Sequence, residues 1–243
     1  MNTPKRRIDV CPSPALYTFY EKPDNTVVMI DAIRASASIV TALMNGASEV
    51  LPLSNKEETF KKRASGYIIA GERDGYTIKD FDFGNSPLNF TNKNMSGKKP
   101  AFTTTNGTRA VRKVIESKLK VNNLLVGSFI NISAVAGYLK ETQGNILILC
   151  SGWKNKINTE DNLFAGELIQ QLNTDKKFHL AEGARISQFF SKNNKQTIYE
   201  QVMELSPRLK KKSQFLEEDF KYCFRTNLTR VIPVLDNKRF IVR

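Results

Sequence analysis

Residues 27–38 read VVMIDAIRASAS, and this stretch decides how the whole chain is read. Four apolar residues run into Asp31, a short loop carries Arg34, and small residues follow. A brief, continuous apolar run bounded by a polar loop suits a strand buried on both faces. Ile39, Val40, Leu43 and Met44 then recur at helical spacing. Asn45-Gly46 closes that helix with residue types that tolerate a left-handed cap. Strand, loop and helix in this order form the half-unit with which open parallel sheets build ligand sites at the carboxyl ends of their strands. Asp31 falls at such an end, with Arg34 about one helical turn further on. An acid and a fixed cation this close suggest a metal ion and an anion held together.

The same order repeats outward from this stretch. Residues 8–20 read as an edge strand and a Pro-bounded loop. Residues 50–53 return as a strand, residues 55–63 as an exposed helix, and residues 67–70 as a strand running into Gly71-Glu72-Arg73-Asp74-Gly75. Residues 100–105 lead into Asn106-Gly107-Thr108 and a helix through Val111, Val114 and Ile115. Residues 124–127 lead to a helix with Val135 and Leu139, and residues 146–150 to one with Leu163, Leu168 and Leu172. Beyond residue 178 the chain is more helical and polar, with Phe189, Phe190, Ile198, Val202, Leu205, Phe215 and Phe220 expected in the core. Residues 231–235 and 239–242 read as a terminal hairpin around Asp236-Asn237. The alternation predicts an α/β fold, a three-layer α/β/α arrangement on a mostly parallel sheet, as one domain over residues 1–243. VMIDAIRASASIVTALMNG and LLVGSFINISAVAGYLKETQG share their order of elements, a hint of internal duplication with halves at about 1–120 and 121–243.

Composition narrows the chemistry. The 243 residues carry a formal net charge of +13, from 37 Lys plus Arg against 24 Asp plus Glu. The dense basic runs, Lys61-Lys62-Arg63 and Lys210-Lys211-Lys212, are short and lack interleaved aromatics, which argues against nucleic acid. A Lys-rich surface around a pocket for a small anionic substrate is the reading that remains. Three cysteines without CxxC spacing argue for a reducing compartment, and the basic start has no signal-peptide core behind it. No apolar run approaches the roughly 18 residues of a membrane span. A cytoplasmic protein is expected, and a homodimer is compatible with the sequence. The single histidine, His179, is read in a polar helical region away from the reactive loops. One histidine leaves no room for a Ser-His-Asp triad, a His-rich metal site or HExxH chemistry.

Four loops at the ends of predicted strands carry reactive or anion-binding residues. They hold Asp31 and Arg34; Glu72, Arg73 and Asp74; Thr103 to Arg109; and Glu160-Asp161 at a helix start. Each alone also reads as a cap or a tight turn, but carboxyl ends of parallel strands converge on one edge of the sheet. The Thr105-Asn106-Gly107-Thr108 loop is the best anion candidate. Gly107 lets backbone N–H groups turn to a ligand, hydroxyls add donors, and the next helix offers a positive end. No Walker A or GxGxxG motif is present. Separated carboxylates without His or clustered Cys favour a hard cation such as Mg²⁺. Direct attack by water and a covalent intermediate on a carboxylate such as Asp31 both stay open; Cys150 is the other conceivable nucleophile, although its apolar strand reads as the setting of a buried structural thiol.

VVMIDAIRAS, GERDG, FDFGNSPLNF, TTTNGTRAV, LLVGSFINISAVA and LILCSGW...TEDNLFAGELI occur in that order, with EEDFKYCF...VIPVL as a weaker segment. In these segments, which span almost the whole chain, the sequence resembles the 2-phosphosulfolactate phosphatase family. The resemblance implies an α/β fold with internal duplication and a Mg²⁺-dependent phosphomonoesterase. The substrate it implies is (2R)-2-phospho-3-sulfolactate, cleaved to 3-sulfolactate and phosphate on the way to coenzyme M. Asp31, Arg34, Glu72, Arg73, Asn85, Ser86, Thr105, Asn106, Gly107, Thr108, Glu160 and Asp161 occupy family-motif positions. Two departures stand out: Phe164 replaces a frequent Cys, and the segment around Ser206-Pro207-Arg208 looks shortened.

On this reading Asp31, Glu72 and Asp161 hold Mg²⁺ directly or through water, and Arg34 clamps the phosphoryl group with help from backbone donors of the Asn106-Gly107-Thr108 loop. Arg73 and Arg109 are candidates for the substrate's carboxylate or sulfonate. Two alternatives stay open. One is a phosphatase for another small phosphorylated carboxylic acid, and the other a non-enzymatic basic binding protein on the same scaffold.

Overall fold

The computed structural model describes residues 5–91, 94–192 and 196–243. In chain order the elements are β1 (Arg7–Cys11), α1 (Tyr17–Tyr20), β2 (Thr26–Ile30), α2 (Ala35–Met44), β3 (Leu51–Pro52), α3 (Lys56–Lys61), β4 (Ile68–Arg73) and β5 (Tyr76–Thr77). They continue with α4 (Leu88–Thr91), β6 (Pro100–Thr103), α5 (Gly107–Glu116), β7 (Asn123–Gly127), α6 (Ile132–Glu141), β8 (Ile146–Cys150) and α7 (Thr159–Leu172). The last are β9 (His179–Leu180), α8 (Glu182–Lys192), α9 (Ile198–Leu205), α10 (Pro207–Cys223), β10 (Pro233–Asp236) and β11 (Arg239–Val242).

Seven strands form the main sheet in the order β11-β10-β7-β2-β8-β1-β9. From β7 to β9 every pairing is parallel, and only the terminal hairpin runs against its neighbours. Every residue of β2 (TVVMI) and β8 (ILILC) is buried, as strands in the middle of a parallel sheet must be when helices cover both faces. The period-2 alternation divides the core into two halves. Val28, Ile30, Ile146 and Ile148 face α6, α7 and α8, while Val27, Met29, Leu147 and Leu149 face α2 and α5. The result is the expected α/β architecture with helices on both faces of a mostly parallel sheet.

The two similar segments lie side by side. β2 and β7 pair in register from Thr26↔Asn123 to Ile30↔Gly127, and β2 pairs with β8 up to Ile30↔Cys150. Asp31, Ser128 and Ser151 therefore leave the sheet as neighbours along its carboxyl edge.

Several expectations are corrected. The strands at residues 50–53, 67–70 and 100–105 do not extend the main sheet. They form a second, four-stranded sheet, β3-β6-β4-β5, because the terminal hairpin already occupies the main sheet's β7 side. The sheets are joined where Val50 and Phe240 exchange backbone hydrogen bonds of 2.8 Å. β1 is not an edge strand, since β9 pairs beside it, and His179 lies in that short strand rather than in a helix. Phe189, Leu205 and Phe215 are exposed. For Phe189 the cause is close packing of α8 on α7 through small residues. A Cβ on Gly166 would lie 2.2 Å from the Ser187 carbonyl oxygen, so Ser187 and Ser191 face inward and the larger side chains turn out. Among the described residues no helix is long and apolar enough to cross a membrane.

Candidate active site

A cleft of about 420 Å³ opens where the carboxyl end of β2 meets the turn after β4, the loop after β6 and one face of α10. Asp31 forms its floor. The Asp31 N–H donates to Ser36 Oγ at 2.9 Å, and the Ser36 N–H returns a bond to the Asp31 carbonyl at 3.0 Å, so the first turn of α2 fixes the backbone there. The Ala35 and Gly107 N–H groups donate to the Asp31 carboxylate. A side chain at residue 107 would block this approach, since its Cβ would sit 2.9 Å from Asp31 Oδ2. Burial first, and then the Glu72 and Glu160 charges, push the Asp31 carboxyl up to about 7.

Glu72, at the end of β4, faces the same cleft. Its Oε1 accepts the Thr105 N–H and its Oε2 the Gly75 N–H, both at 2.6 Å, which ties the β4–β5 turn to the loop before α5. Arg34 reaches across from the β2 loop. It forms a buried ion pair with Asp219 of α10 and donates to the Gly75 carbonyl at 3.1 Å. Ser86 donates its hydroxyl to the other Asp219 oxygen. Asn85 lines the cleft with its side-chain oxygen buried and without a hydrogen-bond partner among the described residues, and its carbonyl accepts from Ser38 Oγ at 3.0 Å.

Thr105 and Asn106 line the cleft, but the rest of their loop is committed elsewhere. Gly107 gives its N–H to Asp31, and Thr108 gives its own to Thr104 Oγ1 at 3.2 Å while its hydroxyl donates to the Thr104 carbonyl at 2.9 Å. The expected anion loop is thus a support for Asp31. Asp161 is fully buried and outside the cleft. Its oxygens accept from the Ala32 N–H (2.9 Å), the Gly152 N–H (3.0 Å) and Asn158 Nδ2 (2.9 Å), bracing the loops after β2 and β8. Burial, followed by the Glu160 and Asp31 charges, raises its carboxyl well above the usual range. Arg73 turns away, donating to the Glu72 carbonyl (2.7 Å) and Thr103 Oγ1 (3.0 Å), and Arg109 is exposed, holding Asn155 Oδ1 at 3.0 Å. Cys150 is wholly buried and burial lifts its thiol well above the normal range, which suits a structural residue rather than a nucleophile.

What sequence reasoning missed comes from α10. Arg208 and Lys212, four residues apart, share one face of this helix and reach the cleft. Arg208 pairs with Glu160 at 2.6 Å and lies over the Trp153 ring at 5.1 Å. Burial, then the Arg208 cation and less strongly that of Arg34, hold the Lys212 ammonium below the ordinary lysine range. The available signals were the Arg208–Lys212 spacing and the Asp219 of EEDFKYCF, but a charged helix reads first as a solvated one.

A three-carboxylate cage is not formed. Among the described residues no group of three or more His, Cys, Asp and Glu is placed to hold a metal ion, and Asp161 spends its oxygens on N–H donors. Asp31 and Glu72 nonetheless suit a hard cation. Both open onto the cleft, and Asp31 lies among carboxylate charges with no cationic partner bonded to it among the described residues. Mg²⁺ is commonly held by one or two carboxylates, with water and substrate phosphate completing its shell.

Buried carboxylates beside converging cations, at the carboxyl end of a parallel α/β sheet, match the needs of phosphoryl transfer, where positioning and charge stabilisation dominate. The comparisons agree with that class, a phosphoric monoester hydrolase. Residues 11–238 match the family model described as 2-phosphosulpholactate phosphatase, and the chain belongs to that family. It is 37% identical over 219 residues to a probable 2-phosphosulfolactate phosphatase of Thermotoga petrophila, covering 90% of this chain and 92% of the relative. A protein of the same description in Pseudothermotoga lettingae is 38% identical over 215 residues, covering 88% and 91%. One in Clostridium botulinum is 32% identical over 240 residues, covering 97% and 99%.

Proposed function

We propose that the protein hydrolyses (2R)-2-phospho-3-sulfolactate to 3-sulfolactate and inorganic phosphate with Mg²⁺ as cofactor. The observation that carries this reading is the pairing of Arg34, locked by Asp219, with the cation-deprived Asp31 on the floor of one cleft. In the net reaction the bond between phosphorus and the ester oxygen breaks. Water supplies the new oxygen on phosphorus, and the leaving alkoxide takes a proton to become the hydroxyl of sulfolactate. Arg34 faces the phosphoryl oxygens and neutralises their charge, and its guanidinium is preorganised because Asp219 and the Gly75 carbonyl already fix it. Asp31 and Glu72 would hold the metal ion. Mg²⁺ bound there would supply Lewis-acid stabilisation of the phosphoryl charge. Asn85 and Asn106 complete the polar wall against the substrate.

The names carried by the relatives support the substrate, and the donor set supports the metal. The test is phosphate release from 2-phosphosulfolactate, 2-phospholactate and phosphoglycolate, each with Mg²⁺ and with EDTA. The expected result is the highest kcat/KM for 2-phosphosulfolactate, suppressed by EDTA and restored by Mg²⁺. Preference for another ester, or full activity in EDTA, overturns the substrate or the cofactor respectively.

A further inference from the structure

We infer that Lys212 recognises the acid group of the substrate that is not transferred, and so makes the enzyme selective for phosphate esters carrying a second anion. The inference rests on the phosphatase reading and assigns a residue to the far end of the same cleft.

Six cations stand near this cleft or were expected to serve it, and five are engaged; Lys154 also lines the cleft, but it is exposed and lies over the Trp153 ring at 5.0 Å. Arg34 is paired with Asp219 and Arg208 with Glu160, while Arg73 and Arg109 donate to oxygens outside the cleft. Lys212 lines the cleft, is half-buried, and makes no hydrogen bond or ion pair among the described residues. Its neighbours in the basic run, Lys210 and Lys211, are exposed, so Lys212 is the member turned inward. A partly desolvated ammonium with no carboxylate bonded to it is costly to keep; Arg208 and Arg34 add like charge, and Glu72 and Asp74 offset it only through space, the net effect still disfavouring the charged form. An arrangement of this kind is relieved by an anion.

Its location fixes which anion. A Cβ built on Gly75 would stand 3.2 Å from Lys212 Nζ, and the carbonyl of that same Gly75 accepts from Arg34 Nη2 at 3.1 Å. Lys212 and the phosphate clamp thus straddle a single residue, a spacing suited to two acid groups on neighbouring carbons of one small molecule. An ammonium is a compact point charge with three rotatable donors, and can serve a carboxylate or sulfonate that has no reaction to undergo.

The test compares wild type with Lys212→Gln and Lys212→Arg on four esters. These are 2-phosphosulfolactate, 2-phospholactate without the sulfonate, the phosphate ester of isethionate without the carboxylate, and ethyl phosphate without either. Lys212→Gln should raise KM for 2-phosphosulfolactate about 10- to 100-fold with kcat changed less than about threefold, the scale of a lost charge-assisted hydrogen bond. Lys212→Arg should recover part of that loss. The loss on ethyl phosphate should be smaller by tenfold or more. If the lysine reads the sulfonate, the penalty vanishes on 2-phospholactate; if it reads the carboxylate, it vanishes on the isethionate ester. Equal losses on all four esters, or an unchanged KM, overturn the inference. Calorimetric binding of 3-sulfolactate needs no turnover and separates the two levels. A wild type that binds sulfolactate but releases no phosphate defeats the phosphatase reading alone, with weaker binding by Lys212→Gln still supporting the role of the lysine. Equal binding by wild type and variant defeats that role alone.

Discussion

The loops after β2 and β7 begin as near copies and end as opposites. Their strands are adjacent, parallel and in register, and each leads through a few residues into a helix of ten. After β7, the turn is held by Asn131, although the buried Ser128 hydroxyl has no hydrogen-bond partner among the described residues. Asn131 Oδ1 accepts the Ser128 N–H at 2.9 Å, and Asn131 Nδ2 donates to the Val231 carbonyl at 2.9 Å. After β2, the residue at the helix start is Arg34, whose side chain does not cap the helix and instead leaves for Asp219. Asp31 is buried among other carboxylates. A loop whose side chain turns back onto the protein's own backbone is structural, and one whose acid and cation open side by side onto a cleft has a ligand to meet.

That contrast can be broken experimentally. Asp31→Asn should lower kcat by about 10³-fold, the scale of removing a preorganised electrostatic group, and leave the fold intact. The measurement is steady-state phosphate release alongside circular dichroism, and a loss below tenfold would remove Asp31 from the reaction. Asp219→Asn should come next. It leaves Arg34 buried without its counter-ion, costing about 3–5 kcal/mol of stability and roughly 10- to 100-fold in kcat/KM. Its Tm should fall by about 6–20 °C on the scale for a chain of this size. Asn131→Ala sharpens the comparison from the other side. It orphans the buried Ser128 N–H and the partly buried Val231 carbonyl, so unfolding should be easier by about 2–3 kcal/mol while kcat stays within about twofold. A large kcat loss there would mean that the two loops do not differ in the way described.

Much of this was legible in the chain. The apolar runs of β2 and β8, the small-residue helix start after Arg34 and the loops holding Asp31 and Glu72 follow from pattern alone. The division into two sheets was not legible, because residues 67–70 and 100–103 read like strands of the main sheet, and only the terminal hairpin closing the β7 side sends them elsewhere. Nor was the fate of the loop's donors. Thr105-Asn106-Gly107-Thr108 has the composition of an anion loop, yet the amides of Thr105, Gly107 and Thr108 serve Glu72, Asp31 and Thr104. Arg73 and Arg109 lie in the right loops but point the wrong way, a matter of side-chain direction that spacing does not encode. The cations that do enter come from α10, roughly 100 residues further on, where Arg208 and Lys212 are hidden in a helix that reads as solvated surface.

Burying the charged form of Asp31 costs folding free energy, a cost that an uncharged serine at the same place after β7 does not carry. A carboxyl at about 7 in the folded chain keeps its proton between pH 4 and 7, where the unfolded chain has released it. The Asp31 contribution to stability is therefore greatest at low pH, declines as pH rises through that window by on the order of a few kcal/mol, and is level above it. Unfolding free energy measured from pH 4 to 8, without added divalent cation, tests this by the difference between wild type and Asp31→Asn. The wild-type curve should fall relative to the variant up to about pH 7 and then run parallel to it. Curves parallel throughout would contradict this.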